Sequence, residues 1–229
     1  MGRRLTAAAA AACTIAAAGA WAQNKIVPIE EEPMHKLKFE NAHVRFFDVQ
    51  LPPGYESLWH SHVFDGVFVN ISPSETTAQD LGGEPTKRDP RIVGQTNFID
   101  YAKKPKVHRV TNSGATVYRV TDAEIHSACG GFGKVTDGAG QTLILENDRV
   151  RVTRIMIEPG ETIALHPPCG MLVAVSEGRL TSQGSGPEEK ITLRPADFRW
   201  RDSYAPIVYV NAGDGVFHAV DIVEPEPPP

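Results

Sequence analysis

The 229-residue sequence is poor in aromatic side chains, which make up 7% of it, and it carries only three cysteines. Beyond its N-terminus it lacks any run of about 18 or more bulky apolar residues, which excludes a polytopic membrane protein. Positive charge is not in excess, since 23 lysine and arginine residues stand against 28 aspartate and glutamate residues. This balance argues against nucleic acid as the main partner, because phosphate binding needs a basic field. What the sequence does have is turn formers, 20 glycines and 18 prolines, which favour many short strands over long helices.

Residues 1–22 are typical of a secretory signal peptide. Two arginines form a basic start, an alanine-rich apolar segment follows, and residues 20–22 are a small-x-small cleavage signal. We therefore expect a mature chain that begins at Gln23 and is periplasmic or secreted, with no stable membrane insertion after cleavage. In such an oxidising compartment Cys129 and Cys169 are candidates for a disulfide, although two unpaired thiols fit the sequence equally well.

The chain contains an internal repeat. Residues 40–62 align without a gap with residues 146–168, and residues 108–125 align more loosely with residues 207–224. The identical pairs of the first alignment are Glu40/Glu146, Asn41/Asn147, Val44/Val150, Arg45/Arg151, Pro53/Pro159, Gly54/Gly160 and His60/His166. The repeat predicts two tandem units, residues 23–125 and 142–224, joined by a glycine-rich linker at 126–141 and followed by a proline-rich tail at 225–229.

Hydrophobic side chains alternate with period two in both units. Phe47, Val49 and Leu51 follow this pattern in the first unit, and Val150 and Val152 follow it in the second. Period two is the pattern of a strand with one buried face, and short strands at this spacing indicate a sandwich or a barrel. The predicted fold class is therefore all-β, with one barrel in each unit.

Three histidines carry the candidate chemistry of the first unit. His60 and His62 follow a Pro-Gly turn, and residues two apart in a strand project to the same face. His108 lies much later in the unit, four residues before Asn112. The spacing predicts that His60 and His62 converge on one point.

The patterns G-x5-H-x-H at residues 54–62 and H-x3-N at residues 108–112 resemble the two motifs of the cupin superfamily, and the repeat resembles a two-barrel bicupin. The resemblance covers most of the mature chain and implies two double-stranded β-helix (jelly-roll) barrels. It also implies that His60, His62 and His108 bind a divalent metal ion. The family's fourth ligand is a glutamate, whose position here falls on residue 66 or 67. Asp65 lies one place early and would reach that position only through a strand bulge.

The implied set of donors narrows the choice of metal. Three neutral imidazoles without a charged ligand prefer Fe, Ni, Zn or Cu to hard cations, and they leave positions open for water or substrate. The second unit keeps His166 at the position of His60 but has Pro168 and Ile207 where the other two histidines would stand. We therefore expect metal in the first barrel and a structural role for His166.

The resemblance implies a periplasmic, metal-dependent oxygenase or lyase that acts on a small oxygenated organic molecule. Trp59, Phe64 and Tyr101 are candidates to line the pocket beside the histidines, with ordinary core packing as the alternative. Two other functions fit the same sequence: a non-enzymatic cupin that binds a sugar or an organic acid, and a structural or assembly protein without metal. The sequence leaves open whether the chain forms a homo-oligomer.

Overall fold

The computed structural model describes residues 25–129, 138–165, 169–184, 186–201 and 206–223. The predicted signal peptide, residues 130–137 of the predicted linker, the predicted tail, and both His166 and Pro168 lie outside these ranges. Within them the chain is built of strands, with one short 3-10 turn at Ile29–Glu31, and the predicted all-β class is confirmed. No helix in these ranges is long and apolar enough to cross a bilayer.

The first half of the chain forms a barrel from two facing sheets. Its strands are β1 (Ile26–Pro28), β2 (His35–Glu40), β3 (Val44–Leu51), β4 (Trp59–His62), β5 (Asp65–Ser72), β6 (Thr76–Asp80), β7 (Thr86–Lys87), β8 (Thr96–Ile99), β9 (Lys106–Asn112) and β10 (Tyr118–Ile125). The two five-stranded sheets have the orders β1-β4-β9-β6-β7 and β2-β3-β10-β5-β8. Neighbouring strands are antiparallel except β1 and β4, which run parallel. Crossovers of this kind between two sheets are those of a jelly roll.

The second half repeats this plan. Its strands are β11 (Gln141–Glu146), β12 (Arg151–Ile157), β13 (Thr162–Leu165), β14 (Gly170–Ala174), β15 (Gly178–Gln183), β16 (Glu189–Leu193), β17 (Phe198–Arg201), β18 (Ile207–Asn211) and β19 (Phe217–Val223). They form sheets of order β11-β12-β19-β14-β17 and β13-β18-β15-β16. The predicted pair of tandem jelly-roll barrels is confirmed.

Two asparagines close corresponding corners of the two barrels. Asn112 Nδ2 donates to the carbonyls of Leu51 and Thr116, each at 2.8 Å. Asn211 Nδ2 donates in the same way to the carbonyls of Ile157, at 2.7 Å, and of Gly215, at 2.8 Å. Each asparagine therefore ties the end of one strand to its neighbours by hydrogen bonds that no apolar residue could make, which explains why both halves carry it.

The Pro-Gly turns of the repeat are also equivalent in structure. Gly54 and Gly160 adopt φ values of 77° and 78°, in the left-handed region that favours glycine. Their amides donate to the carbonyls of Asn112 and Asn211 at 2.9 and 2.8 Å. The repeated sequence thus encodes a repeated turn, which places the strand that follows it, β4 or β13, against β9 or β18.

One sheet of each barrel packs its outer face against the other barrel, and these two faces form a shared hydrophobic core. Phe46 on β3 is fully buried, and its ring centroid lies 4.8 Å from that of Phe198 on β17. In the period-two pattern Phe46 lies on the face of β3 opposite to Phe47, Val49 and Leu51. Both faces are nevertheless buried, because the second barrel covers the outer face of this sheet. The buried members of this core are Val44, Phe46, Val67, Val69, Ile71, Ala123, Ile125, Val150, Val152, Met171, Val173, Val175, Ala196, Val220 and Ile222.

A disulfide joins Cys129 to Cys169, with their Cα atoms 5.8 Å apart. Cys129 follows the last strand of the first barrel, and Cys169 directly precedes β14 of the second. The bond closes a loop with a sequence separation of 40 residues, which in the chain-entropy description restricts the unfolded chain. It therefore fastens the connection between the barrels to the second barrel.

Candidate metal centre

The three histidines singled out by the sequence lie together inside the first barrel. His60 and His62 belong to β4, and His108 belongs to the adjacent antiparallel strand β9, where it stands directly opposite His60. Their exposed fractions are 1%, 2% and 5%, so none of the three points outward to solvent. The period-two expectation for His60 and His62 agrees with this arrangement, and sheet pairing supplies the third imidazole.

The spacing of the rings suits a shared ion. The ring centroids are 5.1 Å apart for His60 and His62, 4.7 Å for His60 and His108, and 5.0 Å for His62 and His108. Imidazoles bound to one ion at the usual metal–nitrogen length have centroids about 4.5–5.2 Å apart. The Nε2 atoms of His62 and His108 are 3.2 Å apart, inside the roughly 2.9–3.4 Å expected for two nitrogens on one ion.

The hydrogen bonds of His60 leave one of its nitrogens free for a ligand. Its Nδ1 donates to the carbonyl of Leu58 at 2.9 Å, and its buried Nε2 has no partner among the described residues. An unsatisfied buried acceptor costs about 1–3 kcal/mol, which a bound cation would offset. A histidine that ligates metal through one nitrogen commonly donates the other N–H to a backbone carbonyl, as His60 does. The donor set therefore fits a metal ion.

The electrostatic environment keeps these imidazoles neutral. Burial, followed by the nearby His35, lowers the pKa of His60 to about 4. Burial and the neighbouring imidazoles lower the pKa values of His62 and His108 well below the usual range. Metal binding needs the neutral form of histidine, so at neutral pH the three lone pairs are available without the loss of a proton.

A further imidazole, that of His35, lies beside His60 and His62. His35 begins β2, and its ring centroid lies 4.6 Å from that of His60. Side-chain nitrogens of His35, His60 and His62 all lie within 4.8 Å of one another, a group that does not include His108. The sequence carries no signal for it, since His35 stands outside both histidine motifs and the barrel brings it in from another sheet.

Glu32 holds His35 in place. Its Oε2 accepts a hydrogen bond from His35 Nδ1 at 2.6 Å, and its Oε1 accepts one from the hydroxyl of Tyr55 at 3.0 Å. Burial by itself raises the pKa of Glu32, but the hydrogen bond and charge of His35 and the hydrogen bonds of Met34 and Tyr55 outweigh it and lower the pKa to about 2. A carboxylate behind an imidazole is the usual support of a metal-binding histidine, because it fixes the ring and directs Nε2 towards the ion.

Two acids of β10, Asp122 and Glu124, lie near His62. Ligand atoms of His62, Asp122 and Glu124 lie within 4.8 Å of one another, with Asp122 Oδ2 3.7 Å from His62 Nδ1. Glu124 is already engaged, since Arg45 donates to its Oε2 at 2.9 and 2.6 Å. Burial and the charge of Glu124 raise the pKa of Asp122 well above its usual range, which favours the neutral acid. Neither acid hydrogen-bonds His62 among the described residues, and the imidazole cluster is the better metal site.

Asp65 does not supply the missing fourth ligand. Its Oδ2 accepts a hydrogen bond from Arg149 at 2.8 Å, and its Oδ1 accepts one from the amide of Ala102 at 2.9 Å. Arg149 stands just before β12, so this ion pair joins the first barrel to the second. The bulge that would bring Asp65 to the cluster is not formed, because both of its oxygens are occupied elsewhere.

The aromatic expectations are met at one position of three. Tyr101 lines the cavity and stacks on His62, with centroids 4.8 Å apart at 24°. Trp59 alternates with His60 and lies instead beneath Arg109, whose guanidinium is 4.9 Å from the ring. Phe64 stacks on His126, with centroids 4.0 Å apart, and is not part of the cavity lining.

The histidine cluster opens on a small cavity of about 60 Å³. Its lining mixes polar and apolar side chains. The residues around it are His35, Val49, Leu51, His60, His62, Phe68, Arg88, Arg91, Asn97, Ile99, Tyr101, His108, Val110, Tyr118 and Val120. A void that holds one water needs about 10–15 Å³, so this one has room for an ion and a ligand of a few heavy atoms.

The fold and the site together define a two-barrel jelly-roll protein with a histidine-lined cavity in its first barrel. No family model and no curated protein matches the sequence. Solved structures do match. The chain is similar to AerE from Microcystis aeruginosa, with a TM-score of 0.56 at 13% identity over 85% of this chain and 99% of that one.

Two further solved structures carry the same architecture. The Cupin 2 conserved barrel domain protein from Leptotrichia buccalis has a TM-score of 0.51 at 10% identity, covering 82% of this chain and 87% of that one. Oxalate decarboxylase from Bacillus subtilis, which has Mn(II) centres, has a TM-score of 0.54 at 12% identity, covering 82% and 71%. The chain therefore has the fold of the two-barrel cupin proteins.

Proposed function

We propose that the chain is a periplasmic or secreted bicupin that binds one divalent transition metal ion in its first barrel. His60, His62 and His108 are the proposed ligands, with His35 as a fourth in place of the family's glutamate. The observation that carries the proposal is the cluster of buried, neutral imidazoles whose rings have the spacing of ligands on one ion. Fe, Ni, Zn and Cu suit an all-imidazole set.

We further propose that the protein is an oxygenase or lyase for a small oxygenated organic molecule. The metal ion would supply Lewis acidity or a centre for oxygen at the cluster. The chain itself would exclude bulk water, since the ligands are almost fully buried, and would limit the substrate by the size of the cavity. Burial raises the pKa of Tyr101, so its phenol stays protonated and can donate a hydrogen bond into the cavity. The metal-containing oxalate decarboxylase with the same fold supports this choice.

The proposed location has its own support. Disulfides persist in oxidising compartments such as the bacterial periplasm, and Cys129 and Cys169 form one here. The signal-peptide pattern of residues 1–22 is the second argument. Cell fractionation with an antibody tests the location, and recovery of uncleaved protein in the cytoplasm would refute it.

Metal content is the direct test of the proposed site. The protein is purified without an affinity tag, and metal per chain is measured by plasma mass spectrometry for wild type and for His60→Ala/His62→Ala. We expect one ion per wild-type chain and a loss of at least about 90% in the variant. The matched control is His43→Ala/His126→Ala, which removes two imidazoles that lie outside the cavity and should keep the ion. Circular dichroism of each variant verifies that it is folded.

The alternatives give different results in the same assay. Wild type with no more metal than the variant would refute the metal site, and a defined oligomer would then favour an assembly protein. One ion per chain without turnover or oxygen uptake over a substrate panel would favour a binding protein. One ion per chain with turnover that the His60→Ala/His62→Ala variant lacks is the result that the proposal predicts.

A further inference from the structure

Two arginines stand where the cavity opens to the surface. Arg88 and Arg91 belong to the segment between β7 and β8, and Asn97 lies on β8. All three line the histidine cavity, and all three also line the surface groove outside it. A ligand that passes from the groove to the cluster therefore passes these side chains.

The wall of the cavity carries the two arginines and no acid, whereas the groove outside it also carries Asp80, Glu84 and Asp89. Among the described residues, the guanidinium of Arg88 makes no ion pair and no side-chain hydrogen bond, whereas Lys106 in the same groove is paired with Asp80 at 2.8 Å. Arg91 donates from Nη1 to Asn97 Oδ1 at 3.0 Å, and its buried Nε has no partner. No carboxylate is among the residues that line the cavity. A buried donor of a charged group without an acceptor is costly, so an anion that accepted from Arg91 Nε would be bound favourably at this opening.

The arginines also act on the cluster itself. Arg88 lines the same cavity as His62 and His108. A guanidinium on this wall repels a divalent cation bound at the histidines. An anion between the two would be attracted by both and would remove the conflict.

We propose that Arg88 and Arg91 bind the carboxylate of a small organic acid at the opening, so that the ligand of this site is a short-chain carboxylate. The planar guanidinium fork matches the two oxygens of a carboxylate, and such charge-assisted bonds are the strong ones. The small cavity limits the remainder of the ligand to a few heavy atoms. This inference rests on the proposed function, because the metal ion would lie on the far side of the bound acid.

The test compares an acid with its neutral isostere. Glycolate and glycolamide have the same size, and only the first is an anion at neutral pH. Ligand-observed NMR titrations at low ionic strength measure both with metal-loaded wild type, Arg88→Gln, Arg91→Gln and Lys87→Gln. Lys87 is exposed, paired with Glu75 and lines only the outer groove, so its variant loses the same charge beside Arg88 without changing the cavity lining.

We expect wild type to prefer glycolate over glycolamide by at least roughly tenfold, and each arginine variant to lose roughly tenfold in glycolate affinity. Lys87→Gln should change it by less than about twofold, since exposed charges act weakly at a distance. Equal binding of glycolate and glycolamide, or equal losses in the lysine and arginine variants, would overturn the inference. Tighter binding of inorganic phosphate than of glycolate would overturn the choice of a carboxylate.

Failure of this inference is distinguishable from failure of the metal site. Each arginine variant is analysed for metal, and we expect one ion per chain, as in wild type, because neither arginine is a ligand. Full metal content with unchanged glycolate binding refutes only the role of the arginines. Wild type without metal refutes the proposed function, and the titration of that metal-free protein still measures whether the arginines select an anion.

Discussion

The two barrels share a frame and differ in what fills them. The corner asparagines and the Pro-Gly turns have the same contacts in both halves. The interiors diverge at the position of His108. His108 faces His60 between β4 and β9, whereas Ile207, which aligns with His108, faces Leu165 between β13 and β18. One barrel therefore has polar donors where the other has a hydrophobic contact.

The second barrel therefore contributes mainly stability, and the first barrel holds the polar groups. The interior of the second barrel is a continuous apolar cluster that includes Leu165, Leu172, Leu180, Tyr209 and Phe217, and it needs no ligand to satisfy it. The first barrel leaves several ring nitrogens and both oxygens of Asp122 without partners among the described residues. Such groups reduce the stability of the metal-free barrel. The second barrel compensates by covering one sheet of the first with a shared core.

Removal of a large side chain from that shared core should have the greatest effect on stability. Phe46→Ala leaves a cavity against Phe198, and large-to-small changes of this kind cost about 3–5 kcal/mol. Urea unfolding followed by circular dichroism measures the loss. Leu37→Ala, at an exposed position of the neighbouring strand β2, is the control and should cost less than about 0.5 kcal/mol.

The same experiment tests whether the barrels unfold together. Because the core is shared, we expect a single transition in wild type and in Phe46→Ala, displaced to lower urea in the variant. Two separate transitions in wild type, with the Phe46→Ala change confined to one of them, would contradict the role assigned to the shared core.

The corner asparagines should give a smaller effect that is equal in the two barrels. Asn112→Ala and Asn211→Ala each remove two donations to carbonyls and one hydrogen bond from the amide two residues later, which we expect to cost about 2–3 kcal/mol. Asn112→Ala also removes the hydrogen bond from Ser74 Oγ, which is partly buried. Thermal unfolding of both variants measures this cost. A difference of more than about 1 kcal/mol between the two would mean that the frames are not equivalent.

The sequence predicts the frame better than the site. The repeat carries the paired asparagines and glycines, so two similar barrels could be predicted, and the H-x-H spacing places His60 and His62 on one face. His35 reaches the cluster through tertiary packing of a separate sheet, and no local pattern marks it. Asp65, a possible ligand only through a bulge, is bonded instead to Arg149 from the other half of the chain. Local spacing cannot show such long-range partners.

The smallest expected change in stability comes from giving the first barrel a residue of the second. His108→Ile places at position 108 the residue that the second barrel has at Ile207. It removes a buried imidazole whose Nδ1 has no partner among the described residues, together with the 3.2 Å contact between its Nε2 and that of His62, and it adds apolar contact opposite His60. Replacing an unsatisfied polar group with an apolar one of similar size is close to neutral or stabilising. We therefore expect the metal-free protein to change by less than about 1 kcal/mol in thermal unfolding.

The metal should respond in the opposite way, and that contrast makes the variant informative. Because the ion binds the folded protein, it should raise the free energy of unfolding of wild type. The increase is about 2.7 kcal/mol when free metal exceeds its dissociation constant a hundredfold. His108→Ile should lose most of this gain, because a proposed ligand is gone. Thermal unfolding with and without added Zn²⁺ measures both quantities in one experiment. A variant that is strongly destabilised without metal would assign His108 a structural role. A variant that keeps the full stabilisation by Zn²⁺ would remove His108 from the set of ligands, because the ion would then need only the remaining imidazoles.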